Sequence, residues 1–243
     1  MTVSPALELD RLTAGHHKVP VVRELGLSVA AGEIVALLGP NGAGKSTTLD
    51  TTCGALPPLS GQVRVSGRRI RGVRDAARYR VAYVPQHRGL FRQLSVDENL
   101  RLRARSRRAV NDVYERFDAL GALRGRQAGL LSGGEQQLLA LLCALALDAK
   151  VLLIDEMTTG LAPGVVRRLA EVVKSVASEG MAVLFVEQHV HLALELCDRA
   201  YVLNHGECVL EGAGPELRER IGELSASYFA DGRDADRSDD DVP

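Results

Sequence analysis

"IVALLGPNGAGKST", Ile34 to Thr47, decides how this chain folds. Ile34–Leu38 is apolar throughout, too short for a core helix and suited to a strand buried on both faces. The turn after it, Gly39-Pro40-Asn41-Gly42-Ala43-Gly44-Lys45-Ser46-Thr47, fits G-x-x-x-x-G-K-[ST] through Gly39, Gly44, Lys45 and Ser46. Each residue type has a physical task. Glycines let the backbone turn tightly enough for successive N–H groups to converge on phosphate oxygens. The helix that follows adds the positive end of its dipole. Lys45 supplies a point charge for the β- and γ-phosphates of a nucleotide, and the Ser46 hydroxyl is placed for Mg²⁺. The expected ligand of the whole turn is a nucleoside triphosphate with its magnesium ion.

A phosphate loop needs an acid at the end of a neighbouring strand. "VLLIDE", Val151 to Glu156, reads as a buried strand, Val151–Ile154, followed by two carboxylates. Asp155 can hold Mg²⁺ through water, and Glu156 can act as general base on the water that attacks the γ-phosphate. "VLFVEQH" ends on His189, which can sense the γ-phosphate through a hydrogen bond. Further buried strands read from Val81–Val84 and Ala182–Val186, with helical patterns between them. Strands alternating with helices predict an α/β fold with a mostly parallel core sheet. Short alternations over residues 6–38 predict an antiparallel β part at the N-terminal end. Ser95 with Glu98 forms a capping box that opens a helix through "VDENLRLRAR", and a second helical segment runs near Val110–Leu120. The reading is one domain over about residues 1–230, with a helical subdomain inserted at about 90–148. The last residues, 231–243, are acidic and poor in aliphatics, so disorder is expected there.

"LSGGEQQ", Leu131 to Gln137, places two glycines at the start of a helix, where they cost backbone entropy and add no packing. With the phosphate loop and "VLLIDE", this stretch resembles the ATP-binding cassette (ABC) family of ATPases, and Leu131, Ser132, Gly133, Gly134 and Glu135 look like its signature motif. The resemblance implies a P-loop cassette that pairs head to tail with a second cassette. The signature of one chain would then meet the ATP of the other. It also implies Gln86 in "VPQ" as a residue contacting Mg²⁺ or the attacking water, "TTGLAP" as the D-loop, His189 as the switch residue and His16 or its neighbour His17 as the adenine-stacking side chain. "AYVPQHRGLFRQLSVDENL", "GLAP" with Ala162, and "FVEQH" are similar to the ATPase subunits of branched-chain amino-acid uptake systems; ATPases for urea, amides and other small polar solutes share much of this. The implied partners are transmembrane permease subunits, an identical or homologous second ATPase chain and, indirectly, a solute-binding protein. The implied place is the cytoplasmic face of the membrane. Arg88 and Arg92, near Gln86, are expected at the surface facing the transport partner. One departure matters. The family usually has Pro after the glutamate, and this chain has Met157, so looser placement of Glu156 is expected.

The bulk composition excludes other classes. Of 243 residues, 46% are hydrophobic, and the net charge of −1 gives no general attraction to nucleic acid or an anionic membrane. The arginine run Arg101–Arg108 has no interleaved aromatics to stack bases and reads as a solvated helix face. Cys53, Cys143, Cys197 and Cys208 form no CxxC pair, which suits reduced thiols. The longest apolar run, Leu138–Leu147, is too short to span a bilayer and suits a buried helix, so the chain is expected to be soluble by itself. The N-terminus carries no signal-peptide pattern. Soluble ABC proteins of DNA repair or ribosomes, and exporter ATPases, remain the competing readings.

Overall fold

The computed structural model describes residues 4–158 and 160–220. In chain order the elements begin with β1 (Leu7–His16), β2 (Val19–Val29), β3 (Ile34–Leu38), α1 (Lys45–Thr52), β4 (Ser60–Val65), β5 (Arg68–Ile70), α2 (Val73–Arg78) and β6 (Val81–Val84). Helices α3 (Val96–Arg103), α4 (Arg107–Arg116), α5 (Asp118–Gly121) and α6 (Gly133–Leu145) follow without an intervening strand. The chain then alternates through β7 (Val151–Asp155), α7 (Pro163–Ser178), β8 (Ala182–Glu187) and α8 (Val190–Leu196), and continues with β9 (Arg199–Asn204), β10 (Glu207–Ala213) and α9 (Gly214–Glu219).

The strands form two sheets. One is antiparallel, in the order β2-β1-β4-β5, and the other runs β10-β9-β3-β8-β7-β6. Within the second, only the β9–β10 pair is antiparallel. Strand β3 sits between β8 and β9, and every one of its residues is buried. Its side chains alternate between two cores. Ile34, Ala36 and Leu38 join a cluster with the helical side, including Leu100, Leu139, Leu142 and Val173. Val35 and Leu37 join a cluster with Leu49 of α1 and the antiparallel sheet, including Leu7 and Leu25. A strand covered on both faces has no polar side to show, and this is why β3, β7 and β8 read as unbroken apolar runs.

Local chemistry sets the ends of the elements. Ser95 accepts from Glu98 N–H while the Glu98 carboxylate accepts from Ser95 N–H, closing the predicted capping box of α3. The predicted helix near Val110–Leu120 is two pieces, because Phe117 leaves helical geometry with φ −131° and ψ 71°. The β9–β10 hairpin was not foreseen. His205 and Gly206, with φ of 49° and 84°, make a two-residue turn of the type hairpins favour. The C-terminal segment, including 231–243, and Thr159 of "TTGLAP" lie outside the described residues.

Parallel register aligns the strand ends. Leu38 pairs with Glu187, Asp155 with Val186, and Val84 with Ile154. The segments that follow β3, β6, β7 and β8 therefore emerge along one edge of the sheet, the carboxyl edge where open α/β sheets bind ligands.

Candidate functional site

The turn after β3 is tightly constrained. A Cβ at Gly39 would stand 2.3 Å from the Leu203 carbonyl oxygen of β9, so glycine is required there by backbone approach. Gly44, with φ 101°, precedes α1, and a Cβ there would stand 2.5 Å from Val22. Helix α1 is rich in threonine, a poor helix former. Thr48, Thr51 and Thr52 donate back to the carbonyls of Gly44, Thr47 and Thr48, and Leu49 anchors the helix in the core. Pro40, Asn41, Gly42 and Ser46 lie toward solvent, while Ala43 and Thr47 pack inward. Lys45 is only 7% exposed. Its ammonium donates to the carbonyls of Gly39 at 2.8 Å and Pro40 at 2.9 Å. Two of three N–H donors thus brace the loop, and the group keeps capacity for an anionic oxygen. Burial pushes the Lys45 pKa below its ordinary value, and the charges of Glu156, Asp155 and Glu187 push it back up.

Asp155 ends β7 and is 5% exposed. Ser46 Oγ donates to its Oδ1 at 3.2 Å, so the phosphate-loop hydroxyl and the strand-end carboxylate are neighbours. Tyr83 of β6 lies 3.3 Å from Asp155 Oδ2 and 3.3 Å from Asp50 Oδ1. One hydroxyl proton cannot serve both carboxylates at once. Burial raises the Asp155 pKa; the Ser46 and Tyr83 hydrogen bonds offset part of the rise, and the charges of Glu156 and Asp50 add to it. Tyr83 itself is pushed up by burial and by these aspartates, so it stays a protonated donor. Neither Tyr83 nor Asp50 was singled out from the sequence; alternation along "VAYV" could have marked Tyr83 as facing the same side as Val81.

Glu156 has left-handed backbone geometry, φ 53°, which is uncommon for a non-glycine residue. Its N–H donates to the Val186 carbonyl at 3.2 Å. Gln86 Nε2 donates to Glu156 Oε2 at 2.7 Å, and Gln188 Nε2 donates to Oε1. His189, expected from the sequence to sense the γ-phosphate, follows this strand end, and its neighbour Gln188 is the residue brought against Glu156. His189 is 65% exposed, with Nδ1 at 3.5 Å from Thr158 Oγ1 and 3.6 Å from Glu187 Oε2. The reason is the end of β8: Glu187 turns into the core, Gln188 emerges opposite it, and His189 already forms the cap of α8. Gln86 was expected at Mg²⁺ or the attacking water; its amide lies on Glu156, and Ser46 and Asp155 meet each other.

The signature stretch opens α6. Ser132 Oγ accepts from Glu135 N–H, and the Glu135 carboxylate accepts from Ser132 N–H at 2.7 Å, a second capping box. These bonds hold the Glu135 pKa below the ordinary value. A Cβ at Gly134 would stand 2.7 Å from Val165 of α7, whereas Gly133 has no neighbour closer than 3.6 Å and is exposed. Leu131 is buried beneath the turn. Arg88, expected to face outward, turns inward and donates to Gln136 at 2.9 Å and Gln137 at 3.0 Å, because those amides lie at the foot of α6 beside its own turn. A cavity of about 450 Å³ lies between them, with Gln86, Arg88, Gln136 and Glu156 in its wall. Arg92 is exposed. His16 ends β1 and His17 sits in the following turn with φ 51°; both are exposed. Among the described residues no helix is long and apolar enough to cross a membrane.

Comparison with known proteins adds the following. The sequence profile described as ABC transporter matches residues 22–159. The high-affinity branched-chain amino acid transport ATP-binding protein BraG of Pseudomonas aeruginosa is 37% identical over 219 residues, covering 87% of this chain and 94% of that protein. The lipopolysaccharide export system ATP-binding protein LptB of Acidithiobacillus ferridurans is 30% identical over 229 residues, covering 88% and 93%. A solved ATP-binding subunit of an ABC transporter matches with TM-score 0.79 at 27% identity, covering 93% of this chain and 97% of that one.

Proposed function

Since this chain belongs to the ABC transporter family and is an ATPase of that family, we propose that it is the energy-coupling subunit of an importer for branched-chain amino acids. The observation that carries the catalytic part is the meeting of Ser46 with Asp155 at 3.2 Å, one residue before a glutamate held by two amides. The turn from Gly39 to Thr47 binds the phosphates of ATP, with Lys45 as its cation. Glu156 is the general base for the attacking water, and Gln86 and Gln188 fix its two oxygens. His16 or His17 stacks on adenine. Leu131 to Glu135 present Ser132 and the open face of Gly133 to the ATP of a second cassette, in a head-to-tail dimer.

The donor set fits magnesium. Ser46 and Asp155 offer hard oxygen atoms, and no group of three or more His, Cys, Asp or Glu side chains among the described residues forms an all-protein cage. Magnesium takes one or two protein oxygens and completes its shell with water and phosphate. When bound, it neutralises charge on the β- and γ-phosphate oxygens.

We assign the translocation path to separate permease subunits, which meet the exposed Phe91 and Arg92 after Gln86. The narrow motif resemblance, and an identity to the branched-chain protein that extends over 94% of its length, support that substrate class; a ribose import ATP-binding protein reaches the same 37% over 45% of its own length. The similarity at 30% identity to an export ATPase supports an exporter as the second reading. A paired experiment separates them: permease capture from membranes, and uptake of labelled leucine, isoleucine and valine in cells with and without the protein. Arg92→Glu is expected to weaken permease capture and leave isolated ATP hydrolysis nearly intact. Unchanged branched-chain uptake after deletion would overturn the substrate, and loss of another solute's import would leave the importer class standing. Recovery of no membrane protein, with ATPase activity answering to ribosomes or DNA, would overturn transport altogether.

A further inference from the structure

Glu187 is the most deeply buried carboxyl group in the described protein, at 1% exposed, and no step above uses it. Its Oε1 accepts the N–H of Met157 at 3.1 Å, and its Oε2 accepts the N–H of Gln188 at 3.2 Å. These two peptides flank the candidate base. Met157 follows Glu156 directly, and Gln188 carries the amide that holds Glu156 Oε1. Glu156 meanwhile has φ 53°, a conformation that persists only where the surroundings over-determine it. The ladder contact from Glu156 N–H to the Val186 carbonyl supplies one constraint, and Glu187 supplies the next, one residue along on both strands.

We propose that Glu187 is a positioning residue for hydrolysis: from inside the core it ties the Glu156–Met157 turn of one strand end to the Gln188 peptide of the next. The proposal rests on the reading of Glu156 as general base and names what holds it. It also accounts for Met157. A proline there would fix the backbone through its ring and offer no N–H. Methionine lacks the ring but provides an N–H, and Glu187 receives it. The looseness expected from the sequence is thereby offset by a hydrogen bond to a group that cannot drift, because packing surrounds it. A carboxyl group so buried has to find its donors among its neighbours, and both of its oxygens do.

The test uses the full chain and separates turnover from binding. Glu187→Ala removes both acceptors, and Glu187→Asp keeps the acid but withdraws it by one methylene. Each should lower kcat for ATP by about 10- to 100-fold, the cost of misplacing a reacting group by roughly 1 Å. Binding of a non-hydrolysable ATP analogue by Glu187→Asp should stay within about twofold of wild type, since this variant keeps the carboxylate charge that favours protonated Lys45 and leaves the phosphate loop itself unaltered. Glu187→Gln keeps one acceptor oxygen for Met157 N–H and should retain more activity than either. In a Glu156→Gln background, Glu187→Asp should lower the residual turnover no further, because its effect runs through Glu156. Unchanged kcat in Glu187→Asp overturns the proposal, as does a parallel loss of nucleotide binding and cooperative melting, which would mark a core residue and nothing more. Absence of ATP turnover in the wild-type protein, or turnover that survives Lys45→Ala, would instead overturn the functional reading and the proposal with it.

Discussion

Asp155 and Glu156 lie near enough to Lys45 to act on its charge, and the proposed function gives the three different work, which single substitutions should separate. Lys45→Ala removes a buried cation and its bonds to Gly39 and Pro40, so ATP affinity should fall by about 10- to 100-fold, the worth of a charge-assisted contact. Glu156→Gln keeps the shape and removes the base. Binding should persist while turnover falls by about 10²- to 10⁴-fold, read by equilibrium binding beside phosphate release. Asp155 gives a stability prediction with a definite sign. Its folded pKa is raised, chiefly by burial. Such a group stabilises the fold fully only below its unfolded pKa, and that contribution is lost as pH rises through the folded pKa. Wild type therefore carries the cost at neutral pH. Asp155→Asn should be more stable than wild type at pH 7 while losing ATPase activity. The advantage should shrink as pH falls toward the ordinary Asp value of 3.8. Equal melting midpoints at pH 7 would refute it.

At the scale of an element, α6 shows why two adjacent glycines differ. Gly134 is required inside the chain, because α7 brings Val165 against it; Gly134→Ala should destabilise by about 1–3 kcal/mol, as overpacking does. Gly133 meets nothing close. Gly133→Ala should leave the melting curve within about 0.5 kcal/mol of wild type, and it should still lower ATP turnover if a partner's nucleotide approaches that face. Normal turnover in a normally folded Gly133→Ala protein would remove the signature role. The same helix start shows what the letters held and the reading did not use. The S-x-x-E spacing of Ser132 and Glu135 is a capping box in plain sight, matching the one recognised at Ser95 and Glu98. The structure uses Glu135 for the helix end, so its side chain is already engaged within its own chain.

At the scale of the molecule, one cassette holds a phosphate loop and a signature helix at different places, so a complete site needs two chains in the proposed arrangement. Glu156→Gln with ATP should therefore shift from monomer to dimer in size-exclusion chromatography, since the base is gone and the closed pair is not released. Ser132→Arg places bulk and charge at the partner's γ-phosphate. It should bind ATP at its own loop, fail to dimerise and lose turnover by at least about tenfold. A Ser132→Arg protein that hydrolyses ATP at the wild-type rate would refute the composite site.

Sequence alone determined what depends on neighbours along the chain. The phosphate loop, the buried strands that lead into it and to Asp155, the α3 cap and the α/β class all follow from spacing, periodicity and turn chemistry, which are local or nearly so. Only the tertiary structure decided which side chains meet across the sheet edge. Gln188 stands on Glu156, Tyr83 is shared between Asp50 and Asp155, Arg88 turns inward to α6, and Glu187 bonds the turn after Glu156. These contacts join residues from different strands, and their partners are set by register. A shift of one residue exchanges every inward and outward side chain. That register comes from the packing of two cores on the faces of one sheet, and the sum of those contacts is not carried by any short stretch of sequence.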